Sequence, residues 1–418
     1  MIKFIHTADI HLDSPLQRLS RYEGAPVEQI RNATRHAFEN LVHLAISEQV
    51  KFVLIAGDLY DGDWRCYNTG LFFSGEMGKL RREGIRVFIV SGNHDAESKI
   101  TKSLRLPENV KIFSTKKPET LRLDDLGIAV HGQGFHQPAV MEDIASKYPD
   151  GISGYFNIGI LHTSLTGREG HEPYAPCQVE TLLSKHYDYW ALGHVHNREV
   201  LHEDPWIIFP GNIQGRYIRE TGPKGCTLVT VDDGMVVAAE HQELDVLRWE
   251  LTRIDASDAP TIEAVLEKIS EALSTQHEQN AGKPMAARIL ISGSCKAHEG
   301  IANDTTQLIN QIRANATDLS GGMIWVEKVL FQTKPQFDPD KIQGPIHDLI
   351  QYIHKIEAED LFSKYLKDDY SKLKAKLPRE LFKGDDAFDL ESSEKAKALL
   401  EDAKNLLTSL LLSGGPQS

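Results

Sequence analysis

The side chains of this chain that are best suited to chemistry are histidines, aspartates and one asparagine, grouped in short polar motifs. Most of these motifs follow a run of β-forming residues. In chain order they are Asp9-Ile10-His11, Gly57-Asp58-Leu59-Tyr60-Asp61, Gly92-Asn93-His94-Asp95, His162 and Gly193-His194-Val195-His196. Carboxylate, amide and imidazole groups are common metal ligands in proteins. The set therefore predicts a two-metal centre on loops at strand ends, and with it the hydrolysis of phosphoesters.

The spacing of the motifs suggests how they would share two ions. Side chains alternate across an extended chain, so residues two apart point to the same side. We therefore expect Asp9 and His11 to grip one ion as the chain leaves the first strand, and His194 and His196 to act in the same way. Asp58 has two carboxylate oxygens and could bridge two ions. Ions about 3.5–4 Å apart would activate a shared water and offset the charge that develops on the phosphate.

The leaving oxygen of a phosphoester needs a proton, and His94 is the best candidate to supply it because imidazole titrates in the right range. Asp61 or Asp95 could orient this ring or stabilise its charge, although both also suit turn and capping roles. Asn93 offers a neutral carbonyl oxygen, and His162 stands at the end of a predicted strand. Each motif alone has a structural explanation, such as a turn or a core histidine. The prediction depends on all five occurring in order.

The residues around the motifs predict alternating strands and helices, which is typical of an α/β fold. The predicted strands are Ile2–Thr7, Phe52–Ala56, Val87–Val90, Ile128–Gly132, Phe156–Leu161 and Tyr187–Leu192. Helices are predicted over about 26–48 and 68–82. Sites in α/β folds usually lie at the carboxyl ends of strands, where most of the motifs stand. The later runs Trp206–Phe209, Cys226–Val231 and Val236–Ala239 favour a second, antiparallel sheet.

These patterns divide the chain into three regions. Residues 1–245 carry all the motifs. Residues 250–335 show a helix–strand–helix–strand pattern without concentrated chemistry, and are predicted to form a small α/β accessory domain. Residues 340–412 are predicted to be helical, with apolar stripes that pack either on the parent domain or on a partner protein.

The composition of the 418-residue chain limits its partners and its compartment. The formal net charge is −14, so contact with nucleic acid would need a local basic rim, metal ions or a partner. The four cysteines form no CxxC pair, which favours free thiols in a reducing cytosol. A signal peptide and an apolar run of about 20 residues are both missing from the pattern. We therefore expect a cytoplasmic protein that does not enter the membrane.

The motifs resemble those of the calcineurin-like metallophosphoesterase superfamily over about residues 1–240. The opening Ile5-His6-Thr7-Ala8-Asp9-Ile10-His11-Leu12-Asp13 is similar to that of SbcD-type DNA repair exonuclease subunits, and of the bacterial YhaO group in particular. The GDLYD and GNHD motifs share this similarity, as does the stretch from Gly193-His194-Val195-His196 to Phe209-Pro210-Gly211-Asn212. The resemblance implies a two-sheet sandwich flanked by helices, followed by a capping domain and C-terminal helices.

The resemblance also implies a role for each motif residue. One ion would be held by Asp9, His11, Asp58 and His196. The other would be held by Asp58, Asn93, His162 and His194, with His94 as the catalytic histidine. The resemblance implies manganese, whereas the mixed ligand set itself also permits iron or zinc. Some relatives carry histidine where Asp61 stands, so a catalytic histidine is excluded at that position.

Partners follow from the same resemblance: DNA, an SMC-like coiled-coil ATPase bound by the C-terminal helices, and a second copy of the chain. The second helix could serve dimerisation through Leu71, Phe72, Met77 and Leu80, although core packing explains these residues as well. The candidate basic rim for DNA consists of Arg216, Arg219, Lys99, Lys102 and Arg105. Solvated surface is an equally good explanation of the rim.

Three functions stay open on the sequence alone. The first is a metal-dependent exonuclease and endonuclease subunit that acts in DNA repair with the ATPase. The second is a small-molecule or cyclic-nucleotide phosphodiesterase or phosphatase, which would not need two extra regions that end in exposed amphipathic helices. The third is a scaffold that binds DNA ends and the ATPase with little turnover, against which the intact ligand set argues.

Overall fold

The computed structural model describes residues 1–14, 27–61, 67–97, 106–165 and 174–336, and a few positions between 348 and 403. The chain divides into two compact units. One comprises Met1–Thr252, Ser274–Arg288 and Ala316–Lys328, and the other comprises Arg253–Leu273, Ile289–Asn315 and Val329–Ser418. Nearly all of the predicted helical region 340–412 lies outside the described residues. Within the described parts, no helix has the length and apolar character needed to cross a bilayer.

The first unit contains two six-stranded sheets. The strands of the first sheet are β1 (Ile2–Thr7), β2 (Phe52–Ala56), β3 (Arg86–Val90), β4 (Val110–Ile112), β11 (Gly225–Asp232) and β12 (Met235–Glu243), in the order β12-β11-β1-β2-β3-β4. Strands β1 to β4 are parallel neighbours, whereas β11 runs antiparallel to β1. Their near-continuous apolar runs are typical of strands buried on both faces.

The second sheet is also mixed. Its strands are β5 (Glu119–Leu123), β6 (Ile128–Gly132), β7 (Phe156–His162), β8 (Tyr189–Gly193), β9 (Glu199–Glu203) and β10 (Trp206–Phe209), in the order β5-β6-β7-β8-β10-β9. The prediction that the strands after Val195 form a separate antiparallel sheet is wrong. Strand β10 pairs in parallel with β8, and β11 joins the first sheet by pairing Val231 with Ile2. Hairpin signals report only local pairing, so they could not reveal a partner at the other end of the region.

The two sheets face each other across an apolar core, and helices cover the first sheet. Residues from both sheets meet in this core, among them Phe4, Phe52 and Ile158. Helices α1 (Val27–Ser47) and α2 (Tyr67–Arg82) pack on the outer face of the first sheet. The short helix α3 (Val179–Leu183) lies against the second sheet, where its Leu182 carbonyl accepts the Trp190 indole N–H at 3.1 Å. The predicted α/β two-sheet sandwich flanked by helices is confirmed.

The candidate dimerisation residues of α2 differ in exposure. Met77 and Leu80 are each 1% exposed and belong to the core, whereas Leu71 is 53% exposed. Phe72 is partly buried and packs against the same core. Core packing therefore accounts for three of the four residues and leaves Leu71 as the exposed one.

The middle of the chain adds a smaller sheet. Its elements are β13 (Arg248–Asp255), α4 (Ile262–Gln279), β14 (Met285–Cys295), α5 (His298–Asn303), α6 (Thr305–Ser320) and β15 (Ile324–Pro335). The strands follow the order β13-β14-β15. The sequence predicts the two long helices and the last two strands. It misses β13, in which charged residues interrupt the apolar alternation.

Candidate metal centre

The predicted ligands lie on loops after β1, β2, β3 and β8 and on the last residue of β7. The first two loops are joined by backbone hydrogen bonds from Asp9 N to Gly57 O and from His11 N to Asp58 O, both 3.0 Å long. In the second sheet, the register of β7 and β8 places His162 opposite Gly193, directly before the GHxH histidines. Parallel pairing within each sheet thus gathers residues that are far apart in the sequence.

The ligand loops do not have the extended backbone that the spacing argument assumed. The φ angles of Asp9, His11 and Asp58 are 51°, 46° and 51°, and that of His194 is 104°. The expectation that Asp9 and His11 share a side through strand alternation is therefore wrong, although both side chains do reach the site. Positive φ is uncommon outside glycine and costs on the order of 1–3 kcal/mol per residue. Such strain is concentrated at functional sites.

Glycines beside the ligands leave room for them. A Cβ on Gly57 would overlap the ring of His162, and a Cβ on Gly92 would overlap the carboxylate of Asp58. A Cβ on Gly193 would collide with the backbone of β2. The glycines of the GD, GNHD and GHxH motifs are thus required by the close approach of neighbouring ligand loops.

One group of candidate ligands consists of Asp9, His11 and His196, whose donor atoms lie within 4.8 Å of one another. The Nε2 atoms of His11 and His196 are 3.4 Å apart. His196 Nε2 is 3.9 Å from Asp9 Oδ1, and His11 Nε2 is 3.8 Å from Asp58 Oδ2. The structure thus brings together the four residues that the resemblance assigns to one ion.

A second group consists of Asp9, Asp58 and His162. His162 Nε2 lies 3.5 Å from Asp58 Oδ2 and 2.9 Å from Asn93 Oδ1. The ring of His194 is 5.2 Å from that of His162, measured between centroids, and the His194 amide donates to Asp9 Oδ2 at 2.9 Å. Asp58 is within reach of both groups, as a bridging carboxylate must be.

Burial and charge in both groups suit divalent cations. Asp9 and Asp58 are each 1% exposed, and His11 and His162 are fully buried. Burial raises the pKa of Asp58 to about 6, and burial together with the charge of Asp58 raises that of Asp9 well above its usual range. Burial also lowers the pKa of His162 to about 3, so this ring is neutral. Two crowded carboxylates beside neutral imidazoles are unfavourable without a cation and well matched to one.

The ring nitrogens are also arranged for metal binding. His162 Nδ1 lies 2.9 Å from the carbonyl oxygen of Ala56, and His196 Nδ1 lies 2.6 Å from Glu220 Oε1. These contacts assign the proton to Nδ1 in both rings and leave each Nε2 lone pair facing the ligand cluster. A carbonyl or carboxylate behind a ligating histidine is the usual way to fix its tautomer and orientation.

His94 lies at the open side of this cluster, and 41% of its side chain is exposed. Its Nδ1 is 2.8 Å from Asp61 Oδ1, and its Nε2 is 4.0 Å from Asp58 Oδ2. Burial alone would lower the pKa of His94, but the hydrogen bond to Asp61 and the negative charges of Asp58 and Asp61 together outweigh it and raise the pKa to about 9. Hydrogen bonds from His94 and Ser14 lower the pKa of Asp61 to about 2 against the effect of burial. A protonated ring facing the ligands is what a general acid requires.

Asp95, the other carboxylate predicted to assist His94, makes different contacts. Its two oxygens accept backbone amides from Leu59 at 3.2 Å, Tyr60 at 2.9 Å and Gly92 at 3.0 Å. The residue is 6% exposed. Asp95 therefore joins the GDLYD loop to the GNHD loop and supports the position of both.

The candidate DNA rim divides in the structure. Arg219 is exposed, whereas the side chain of Arg216 is only 15% exposed and lies among acidic groups of the site. Lys99, Lys102 and Arg105 lie outside the described residues. Within the described part of the chain, Arg219 is thus the one predicted rim residue that is exposed.

Sequence reasoning missed Glu220, which contacts His196 and is 2% exposed. It also missed Asn212, whose Nδ2 donates to Glu220 Oε2 at 2.9 Å. A signal was present, because Glu220 follows Arg216 by four residues just after the quoted Phe209-Pro210-Gly211-Asn212 stretch. An acidic residue so close to a basic one beside a ligand loop suggests a supporting ion pair.

Comparisons with known proteins agree with this geometry. Residues 2–198 match the family described as calcineurin-like phosphoesterase, and residues 249–334 match the middle domain of metallophosphoesterase YhaO. Over 297 residues the chain is 36% identical to the metallophosphoesterase YhaO of Bacillus subtilis (strain 168), a protein named as uncharacterized. That alignment covers 70% of this chain and 72% of the relative.

Two solved structures also align with the chain. One has 10% sequence identity and a TM-score of 0.35, and covers 58% of this chain and 99% of its own. The other, a dimetal phosphatase from Danio rerio, has 13% identity and a TM-score of 0.33, and covers 56% of this chain and 93% of its own. Because the Bacillus relative shares over a third of its aligned residues across most of both lengths, this hydrolase belongs to the YhaO-type metallophosphoesterases of the calcineurin-like superfamily.

Proposed function

We propose that this metallophosphoesterase is a DNA nuclease, with exonuclease and endonuclease action, that works in DNA repair with an SMC-like ATPase. The observation that carries the proposal is a full set of ligand side chains beside a partly exposed His94 that is hydrogen-bonded to Asp61. The similarity of the motifs to those of SbcD-type exonuclease subunits supports DNA as the substrate. We propose manganese as the resident metal on the same ground.

The ligand groups would hold two divalent ions, one on Asp9, His11 and His196 and one on Asn93, His162 and His194, with Asp58 shared. When bound, such ions stabilise charge on the phosphate and supply a nucleophilic water near neutral pH. The contribution of the chain is to fix the donors before substrate arrives. The buried loops do this through backbone hydrogen bonds and through the Asp95 contacts.

The protein moves one proton in this mechanism, from His94 Nε2 to the leaving oxygen. Because Nδ1 donates to Asp61, the second ring proton resides on Nε2, the nitrogen that faces Asp58 at 4.0 Å. Protonation of an alkoxide leaving group by a positioned acid typically contributes 10²–10⁴-fold. Asp61 keeps the ring charged and oriented between turnovers.

Contact with a long polyanion would be made around this opening. Arg219 and Tyr217 are both exposed on the loop between β10 and β11. An arginine and an aromatic ring are the groups that bind a phosphate backbone and a base. Since the chain carries a formal charge of −14, we propose that the ATPase supplies most of the affinity for DNA.

The test is cleavage of double-stranded DNA labelled at either end, by purified protein with Mn²⁺, Mg²⁺ or EDTA. Bis(p-nitrophenyl) phosphate and a cyclic nucleotide serve as parallel substrates. We expect metal-dependent cutting of DNA that His94→Ala reduces at least 100-fold. His136→Ala is the matched control, since it removes a histidine outside the ligand cluster.

The outcomes separate the three functions. Turnover of a small phosphodiester with no cutting of DNA, alone or with a coiled-coil ATPase, would contradict the nuclease proposal and favour the small-molecule phosphodiesterase. Binding of DNA with no turnover of any substrate would favour the scaffold. Deletion of residues 340–418 tests the partner, because DNA processing and ATPase binding that both survive the deletion would contradict it.

A further inference from the structure

A continuous set of contacts joins His94, the proposed general acid, to His196, a candidate metal ligand. It runs from His94 to Asp61, from Asp61 to Arg216, from Arg216 to Glu220 and from Glu220 to His196. The two histidines come from different loops, after β3 and after β8. Arg216 is the residue that connects the two halves.

Glu220 forms one end of this set. Its Oε1 lies 2.6 Å from His196 Nδ1 and 3.3 Å from Arg216 Nη2. Its Oε2 accepts Asn212 Nδ2 at 2.9 Å and the Arg216 amide at 2.8 Å. The carboxylate is 2% exposed, and every contact but one comes from its own loop segment. A Cβ on Gly215 would collide with the Glu220 carbonyl, so this turn needs glycine there. The loop thus holds Glu220 rigidly behind His196.

Asp61 forms the other end. Its Oδ1 accepts the hydrogen bond from His94 Nδ1, and its Oδ2 accepts one from the Ser14 hydroxyl. Arg216 Nη1 is 3.7 Å from the same Oδ2 and 3.5 Å from Ser14 Oγ. Asp61 therefore has His94 on one oxygen, and Ser14 and Arg216 on the other.

Arg216 lies between two carboxylates that each orient a histidine. Its side chain is 15% exposed, and its Nε atom is buried without a hydrogen-bond partner among the residues that the structure describes. One guanidinium with a fixed fork can hold two carboxylates at a set separation, which the flexible ammonium group of lysine does poorly. The guanidinium of Arg216 is thus held by two carboxylates, unlike that of a surface arginine that is available to bind a phosphate.

We propose that Arg216 is a positioning residue, which holds Asp61 and Glu220 so that His94 and His196 keep their places relative to each other. Arg216 then acts on catalysis through His94 and not through the phosphate. The inference depends on the general-acid role proposed for His94, but it does not depend on DNA as the substrate.

The first test compares two diaryl phosphates that differ in the leaving group, bis(p-nitrophenyl) phosphate and diphenyl phosphate, with the full-length protein and saturating Mn²⁺. Phenolate is the more basic leaving group, so its departure depends more on the acid. We expect Arg216→Gln to reduce kcat about tenfold or more on diphenyl phosphate and less than about threefold on the nitrophenyl ester, with little change in KM. The doubly substituted His94→Ala, Arg216→Gln protein should be no slower than His94→Ala, because both changes remove one function.

The second test measures Mn²⁺ binding directly, by calorimetric titration of the metal-free protein. Glu220→Gln should weaken binding about tenfold, as is usual when the partner of a ligating histidine is lost. Arg86→Gln is the matched control for Arg216, since Arg86 also pairs with a carboxylate, Asp125 at 2.8 Å, but on an exposed surface away from the ligand loops. It should change neither binding nor rates. If Arg216→Gln does not fold, Arg216→Lys takes its place, because lysine retains the positive charge but lacks the planar guanidinium group that contacts both carboxylates.

Three results would overturn the proposal. Equal slowing of both esters by Arg216→Gln, additive with His94→Ala, would show that Arg216 contacts the phosphate. Unchanged rates on both esters would show that it is a bystander. Unchanged Mn²⁺ affinity in Glu220→Gln would remove the link to His196. By contrast, failure of the general-acid proposal itself would show as His94→Ala slowing both esters equally.

Discussion

Two regions of this chain bury charged groups, and they do so in opposite ways. In the metal centre, Asp9 and Asp58 lie side by side, each 1% exposed, beside the fully buried rings of His11 and His162. In the smaller sheet, Arg288 and Glu327 are also largely buried, but they form a two-pronged pair with contacts of 2.8 and 2.7 Å. A buried charge that contacts an opposite charge of the same protein is neutralised without a ligand. A cluster of buried like charges needs a bound cation to neutralise it.

The difference separates function from stability. Clustered carboxylates should cost free energy in the metal-free protein and should be essential for activity. A matched pair should matter for stability alone.

Asp58→Asn should have opposite effects on activity and on stability. We expect phosphodiester hydrolysis to fall on the order of 10³-fold, because a shared ligand of both ions is lost. Burial raises the pKa of Asp58 from 3.8 to about 6, so its ionisation lowers stability as the pH rises between these two values, and the full cost is present above pH 6. The metal-free variant should therefore gain about 1–3 kcal/mol of unfolding free energy at pH 7.5. Urea unfolding in EDTA measures this gain, and a less stable variant would contradict the comparison.

Glu327→Gln should show the reverse pattern. It removes the negative charge that Arg288 contacts at 2.8 and 2.7 Å, and we expect a loss of about 3 kcal/mol in unfolding free energy with unchanged kcat. Replacing both residues, as in Arg288→Met with Glu327→Leu, should restore most of that loss. If the double replacement were as unstable as the single one, the pair would not be the source of the stability.

His6 provides a case inside the first unit, because it is fully buried but paired. Its Nδ1 lies 2.9 Å from the Tyr189 hydroxyl and its Nε2 lies 3.0 Å from the Leu192 carbonyl oxygen. Burial lowers the pKa of His6 to about 3, so below pH 6.5 the unfolded state binds a proton that the folded state does not. Stability should fall as the pH falls from 6.5 towards 3, by about 1.4 kcal/mol per unit for this group. The slope between pH 6 and 5 should be smaller by this amount in His6→Gln, and equal slopes would contradict the assignment.

Helix α2 should show the smallest effect. A Cβ on Gly75 or on Gly78 would meet no atom of the described residues within 4 Å, so neither glycine is needed for packing in that part of the chain. Gly75→Ala and Gly78→Ala should each stabilise the protein by about 0.5–1 kcal/mol without a change in activity. Thermal unfolding measures the gain. A loss of stability that depends on protein concentration would instead place this helix face in a dimer.

Much of the sandwich could be predicted from local sequence. Strands β1, β2, β6 and β10 begin and end where the apolar runs predict, because each run fills a buried strand bounded by turn residues. The pairing of β11 with β1 could not be predicted, since it joins residues more than 200 positions apart. Local patterns contain no information about such partners.

For the candidate site, too, the sequence predicted some features and not others. Residue types and their order predict which side chains converge, and the structure brings the ligand residues and His94 together. The positive φ angles of Asp9 and Asp58 were not predictable, because only tertiary contacts fix them. Nor was the interior position of Arg216, which in the sequence looks like any surface arginine beside a motif.

The most direct test of this account counts the ions. Metal-free protein is dialysed against Mn²⁺, and the metal content per chain is measured by plasma mass spectrometry for the wild type and for Asp58→Asn. We expect two ions per wild-type chain and fewer than two in the variant, because Asp58 is within reach of both ligand groups. A wild-type chain that binds one ion or none, or a variant that still binds two, would contradict the assignment of this cluster as a two-metal centre.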